Sequence, residues 1–177
     1  MNKRSYWRRQ LVGRPCDPLL RSWLTEPDSL TSRCLRSSRR FRVRLLHYGK
    51  GLALADESVG GTAGGGLAWV REVALECDGQ PVIFAHTTLS TAATGRLTRW
   101  MARLGTRSLG SLLFSYPGFA RGEIEFLRLD ARHPLYQRAA RLGPVEPTLW
   151  ARRSWHRLGR QQVLVTEVFL PAIRALK

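Results

Sequence analysis

Two charged residues sit where strand alternation calls for apolar ones. In VLVTEVFLP (163–171), Val163, Val165 and Phe169 share one side of a strand with Glu167. In LAWVREVALEC (67–77), Trp69, Val73, Leu75 and Cys77 share a side with Arg71, and Val70, Glu72, Ala74 and Glu76 form the wetter side. A charge buried in an apolar row costs several kcal/mol unless it is paired. Two arrangements meet that cost. The residues can pair with each other as a buried ion pair, or they can face a cavity whose ligand does the pairing. In the second case the arginine fork grips a carboxylate. The glutamate accepts a hydrogen bond from a hydroxyl or takes a proton. Such a ligand is small and ringed, with a carboxylate at one end and a hydroxyl at the other.

Other chemistries find little support. His47, His86, His133 and His156 have no HxH or HExxH spacing, which argues against a zinc site. GGTAGGG (60–66) lacks the GK[ST] ending of a phosphate loop and the spacing of a dinucleotide fingerprint, and reads as a flexible connector. No GxSxG elbow occurs, and Cys16, Cys34 and Cys77 have neither a nucleophile's setting nor a disulfide framework's spacing. They read as reduced thiols of a cytoplasmic protein. What remains is chemistry without a metal, cofactor or nucleophile.

The elements that must position the two charges are mostly strands. FRVRLLHY (41–48) alternates with one wet face, and 67–77 and 80–89 form a hairpin about Asp78-Gly79. GEIEFLRLD (122–130) alternates again, and 149–158 with 161–170 form a last hairpin about Gly159-Arg160. Short helices start at Asp17-Pro18 and Asp28-Ser29, run through Ala92 to Leu104 until Gly105, and cover 108–114. Residues 131–147 read as a loop insertion. About six hairpin-linked strands with interspersed helices predict an α+β domain on one antiparallel sheet.

The 177 residues suffice for one domain, 1–177, with 1–16 expected to be a loosely ordered basic N-terminus. No apolar run approaches the roughly 20 residues of a membrane span, and no apolar segment follows MNKRSYWRRQ to make a secretory signal. The formal charge is +16, and only three of the 29 basic residues are lysine. This surplus suits anionic partners and can steer a small polyanion. RSSRRFRVR (36–44) reads as a solvated arginine face, since no nucleic-acid motif accompanies it.

WVRE (69–72), CDGQP (77–81), RSLGSLLF (107–114), WARRS (150–154) and LVTEVFLP (164–171) occur in an order and spacing that resemble the chorismate pyruvate-lyase family from about residue 17 to the C-terminus. The resemblance implies a six-stranded antiparallel sheet with short helices forming flaps over a buried ligand. It implies a cofactor-independent lyase, likened to a monomer, that removes pyruvate from chorismate to give 4-hydroxybenzoate, the first committed step of ubiquinone synthesis. The family's carboxylate-binding arginine falls on Arg71, and the glutamate at the hydroxyl end falls on Glu167. The flap contacts fall on Leu30 and Leu109, and WARRS supplies Arg152 and Arg153 beside the site. Alternation groups Arg153 with Ala151 and Trp155, which favours Arg153 for the second carboxylate. A flap-covered apolar site should also hold its aromatic product tightly.

The chain departs from the family's pattern in three places. His86 and TTLS stand where an arginine before TxxP is usual, which alters the site's positive potential or pH response. Ser108 replaces a proline before the LG motif, which should loosen that turn. The glycine tract and 131–147 are longer than expected. Two other products of the same resemblance are an isomeric hydroxybenzoate and a non-enzymatic ligand-sensing domain of a transcription regulator. The sensor would carry a DNA-binding helix-turn-helix ahead of it, and about 16 residues precede the first helix.

Overall fold

Asp78 and Gly79 both take positive φ, 50° and 84°, the pairing a type I′ turn needs to match the twist of its flanking strands. Backbone N–H groups of Arg39 and Arg40 donate to the Asp78 carboxylate. That turn joins β2 (Leu67–Cys77) to β3 (Gln80–Ser90), and β1 (Phe41–Leu52) pairs antiparallel outside β2. The computed structural model describes residues 6–11, 17–58, 64–91 and 95–176. Cys16 and residues 60–63 of the glycine tract lie outside them. Cys34 and Cys77 are free and buried.

The last hairpin, β6 (Thr148–Leu158) and β7 (Gln161–Phe169), docks antiparallel with β7 against β3. The outer edge of β6 carries two strands in succession, β4 (Ala120–Arg121) and β5 (Glu125–Asp130). The order is therefore β1-β2-β3-β7-β6-β4, with β5 also on β6. The sheet has seven strands where six were expected. The added one is β4, whose two residues are too short to carry a period in sequence.

Two rows across the sheet matter for function. Arg71, Thr87, Val165 and Ser154 are successive partners on β2, β3, β7 and β6, and Val73, Ala85, Glu167 and Arg152 form the adjacent row. Over this face lie α1 (Pro18–Leu24), α2 (Leu30–Ser37), α3 (Arg96–Arg103) and α4 (Leu109–Ser115). Asp17 caps α1 with its carboxylate on the Leu19 and Leu20 N–H groups. Gln161, from the tip of the last hairpin, accepts from Leu97 N–H at the start of α3. Apolar side chains of α1 and α2 pack with Val73, Leu75 and Phe169, and those of α3 and α4 pack with Leu89 and Val163. A cavity is left between these two clusters.

The opposite face is not the wet one that alternation suggested. Residues 131–147 hold α5 (Pro134–Ala139) and a 3₁₀ turn over Ala140–Leu142, not a loop. Leu135 and Ala139 pack there with Phe84, Ala151 and Val168. Val70, Ala74 and Glu76 are buried as well, Val70 against Ala53 and Ala68 and Glu76 paired with Arg42 and Arg44. Part of the N-terminal stretch expected to be loose also packs: Arg8 bridges Phe126 by backbone hydrogen bonds of 3.0 and 2.7 Å, and Trp7 Nε1 donates to Asp56. No described helix is long and apolar enough to cross a membrane.

His86 lies on this second face and not in the cavity. It is fully buried, with Nδ1 2.8 Å from Glu72 and Nε2 3.4 Å from Glu57, while Arg138 also donates to Glu72. Burial alone would lower its pKa, but the two carboxylates outweigh burial and raise it. A raised folded pKa gives stability that is complete below the unfolded value, about 6.5, and is lost as pH rises through the folded value. The stability difference between the wild type and His86→Gln should therefore be largest below pH ~6.5 and shrink on alkalinisation. A difference that is flat with pH in urea melts would remove this linkage.

Candidate active site

Arg71 is 2% exposed. One terminal nitrogen donates to the carbonyls of Gly105 (3.1 Å) and Arg107 (2.8 Å), which precede α4, and Nε has no partner. No carboxylate pairs with Arg71 among the described residues, so the ion pair with Glu167 does not form. Burial pushes the guanidinium down to about 10, with a small opposing pull from Tyr48. A buried cation without a counter-charge is costly, and this one lines a cavity. An entering anion would supply the missing charge.

Glu167 is paired instead with Arg152, whose Nε donates at 2.7 Å. Arg152 is 1% exposed, and its Nη1 also donates to the carbonyls of Leu24 (3.3 Å) and Glu26 (2.6 Å) at the end of α1. This pairing follows from register, since Arg152 and Glu167 are direct cross-strand partners. The carboxylate still lines the cavity, opposite Arg71 and two strands away.

Arg153 does not reach the cavity. It does side with Ala151 and Trp155, as alternation predicts, but that row faces α5 and the N-terminal segment. Its Nε donates to Glu125 at 2.7 Å, Nη1 donates to the carbonyl of Asp56, and the guanidinium lies 4.4 Å from the Trp7 ring centre. The row of Arg152, Ser154 and His156 faces the ligand space instead. Alternation separated the two arginines correctly, but period alone cannot say which side a sheet will cover.

Leu30 and Leu109 both line the cavity, each as the first residue of a helix whose cap is serine. The Ser29 and Ser108 hydroxyl oxygens accept from the N–H groups of Ser32 and Ser111. Ser108 ties its turn to a neighbouring helix. Its Oγ lies 2.6 Å from Thr31 Oγ1, so the two covering helices are hydrogen-bonded to each other. A Cβ at Gly110 would meet Thr31 Oγ1 at 3.1 Å and Ser29 Oγ at 3.2 Å, which accounts for glycine at that approach.

The far wall holds groups that sequence reasoning did not select. Arg121, on β4, faces the cavity beside His156, its register partner. Its Nε donates to Ser154 Oγ at 3.2 Å, and its guanidinium carbon lies 5.2 Å from the Phe114 ring centre. The cavity lining thus carries three guanidinium groups, Arg71, Arg121 and Arg152, against one carboxylate, Glu167. Burial, then Arg121 and Arg152, hold the His156 imidazole down at about 4, so it adds no charge at neutral pH. The lining therefore carries an excess of two positive charges over negative ones. A more open groove outside, bounded by Arg39–Arg42, Glu76 and Asp78, offers less, because Glu76 already pairs with Arg42 and Arg44.

The family model described as chorismate lyase matches residues 1–175. A protein of Dechloromonas aromatica named "Probable chorismate pyruvate-lyase" is 75% identical over 175 residues, covering 99% of each chain. One of the same name from Methylobacillus flagellatus is 40% identical over 175 residues, 98% of this chain and 97% of its own. Among solved structures, a GntR-family transcriptional regulator from Bacillus cereus superposes with TM-score 0.51 at 13% identity, over 74% of this chain and 92% of that one. That likeness is one of fold alone. The sequence agreement, by contrast, runs nearly end to end, and on it the chain belongs to the chorismate lyase family.

Proposed function

We propose that the cavity binds chorismate and that the protein cleaves it to 4-hydroxybenzoate and pyruvate, feeding ubiquinone synthesis. The observation that carries this reading, beside family membership, is the excess of two positive charges around the space between sheet and helices. Chorismate is a dianion with a ring carboxylate, a ring hydroxyl and an enolpyruvyl ether. In the proposed complex Arg71 holds the ring carboxylate through its unpartnered edge. Glu167, two strand spacings or roughly 10 Å across the sheet, accepts the hydrogen bond of the hydroxyl. Groups at opposite ends of the space favour a ligand substituted at opposite ends of its ring, hence the 4-hydroxy isomer. Leu30 and Leu109 cover the ring as flaps.

In the reaction the ether bond to the ring breaks, the hydroxyl-bearing ring carbon loses its hydrogen, and the enolpyruvyl methylene gains one. The products are an aromatic ring and pyruvate, and no atom or electron is left over. Aromatisation drives the step, so the protein's part is to orient the substrate and to stabilise charge that shifts toward the leaving group. Glu167 fixes the hydroxyl and thereby the hydrogen beside it. Arg152, donating from Nε, holds the Glu167 carboxylate in place.

Incubating the protein with chorismate should release 4-hydroxybenzoate and pyruvate in equal amounts, followed by chromatography and a coupled pyruvate assay. Consumption without 4-hydroxybenzoate, or no consumption, would refute the reading. A dianion drawn to a strongly basic protein also predicts that kcat/KM falls several-fold as salt approaches 1 M, where the Debye length is about 3 Å. A salt-independent kcat/KM would remove electrostatic steering.

A further inference from the structure

The reading above leaves the second carboxylate of the substrate without an assigned partner. In chorismate the enolpyruvyl ether is attached to the ring carbon next to the one bearing the hydroxyl. With the ring carboxylate on Arg71 and the hydroxyl on Glu167, the ring can be turned about that axis so that this side chain extends toward β6 and β4. Arg152 offers little there, since its Nε and Nη1 are taken by Glu167, Leu24 and Glu26. Arg121, which donates from Nη1 to the Pro27 carbonyl and has no carboxylate partner among the described residues, and His156 stand on that wall without such a match.

His156 is 3% exposed and lines the cavity, and its Nδ1 is buried without a hydrogen-bond partner. Its Nε2 lies 3.2 Å from Ser154 Oγ, and the same oxygen accepts from Arg121 Nε at 3.2 Å. An arginine has only donors, so Arg121 uses a lone pair of the serine oxygen. The serine's one proton has no other acceptor among the described residues, which favours its donation to Nε2. A neutral imidazole that accepts at Nε2 carries its hydrogen on Nδ1. The chain Arg121–Ser154–His156 therefore presents an N–H donor, buried and unused, on the wall the enolpyruvyl group faces. An unsatisfied buried donor is unfavourable, and a ligand oxygen removes that cost. Phe114 of α4 packs edge-on against the His156 ring, 6.0 Å between centroids, and keeps it in place. Arg121 Nη2 also has no partner among the described residues, and it adds the positive charge that the imidazole lacks.

We propose that His156, with its tautomer set by Ser154 and Arg121, is the substrate-binding residue for the enolpyruvyl carboxylate, donating to it through Nδ1 while Arg121 neutralises it. This rests on chorismate occupying the cavity. It makes recognition of the leaving group separable from recognition of the ring, because 4-hydroxybenzoate lacks the enolpyruvyl carboxylate and touches neither His156 nor Arg121.

The test compares KM for chorismate with Kd for 4-hydroxybenzoate, the latter from titration calorimetry. His156→Leu should raise KM about tenfold, the worth of one hydrogen bond to a charged group, with kcat held and the Kd for 4-hydroxybenzoate unchanged. His156→Asn, whose amide nitrogen falls near the Nδ1 position, should recover most of the loss. Ser154→Ala removes only a hydroxyl and frees the tautomer, and should raise KM by a smaller factor with the same Kd. It carries the test if the leucine variant does not fold. An unchanged KM in these variants overturns the inference. So does a parallel loss of chorismate and 4-hydroxybenzoate binding, the mark of a cavity merely deformed. Failure of the underlying reading looks different: the wild-type protein itself would not turn chorismate over.

Discussion

Replacing Arg71 with methionine should lower kcat/KM for chorismate by about 10³-fold, the scale of losing one partner of a buried charge pair. The same change should leave the melting temperature of the ligand-free protein unchanged or raise it. Arg71 is buried, has no carboxylate partner and is pushed down to about 10 by desolvation. Methionine, close in volume, removes that burden, although the carbonyls of Gly105 and Arg107 lose a donor. The two effects have opposite sign only if the charge is there for a ligand. Thermal shift with 4-hydroxybenzoate completes the measurement: the product should stabilise the wild type and not the variant. If Arg71→Met unfolds easily and retains turnover per folded molecule, Arg71 is a structural residue.

Glu167→Gln should reduce kcat about 100-fold or more, the range of a lost acid–base or orienting carboxylate, with a much smaller change in KM. The amide keeps the shape and can still accept from Arg152 Nε through its carbonyl oxygen. It loses the charge that balances Arg152, which is 1% exposed. A modest loss of stability is therefore expected too, about 1–2 kcal/mol and below the 3–5 kcal/mol of a wholly broken buried pair. Turnover normalised to folded protein separates the two consequences. Near-full kcat in the variant would leave Glu167 only its ion pair.

How much of this was legible beforehand varies by residue, for physical reasons. Arg71 and Glu167 could be found because a strand's period of two exposes any charge in an apolar row. Both hairpin turns were readable from Asp78-Gly79 and Gly159-Arg160, since φ is 50° and 84° at the first and 58° at Gly159. Arg153 was chosen over Arg152 because alternation fixes which residues share a face but not which face the helices cover. The register Arg152↔Glu167 decides that, and register is a property of the folded pair. Arg121 gave no signal at all. Its strand has two residues, and its place at the cavity follows from pairing with His156. In sequence α5 reads as part of a loop because 131–147 holds three prolines and a glycine, yet His133 caps its first turn and Leu135 is buried beneath it. Once α5 covers the second face, His86 becomes an interior residue held by Glu57 and Glu72, remote from the ligand.

The central claim is one of orientation: the ring carboxylate at Arg71 and the ring hydroxyl at Glu167. A crystal structure with 4-hydroxybenzoate bound tests it most directly. The account predicts the product's carboxylate within hydrogen-bond distance of the Arg71 guanidinium and its phenolic oxygen against Glu167, with Leu30 and Leu109 closing over the ring. A product lying the other way round, with its carboxylate on Arg152 or Arg121, or one bound outside this cavity, would contradict it.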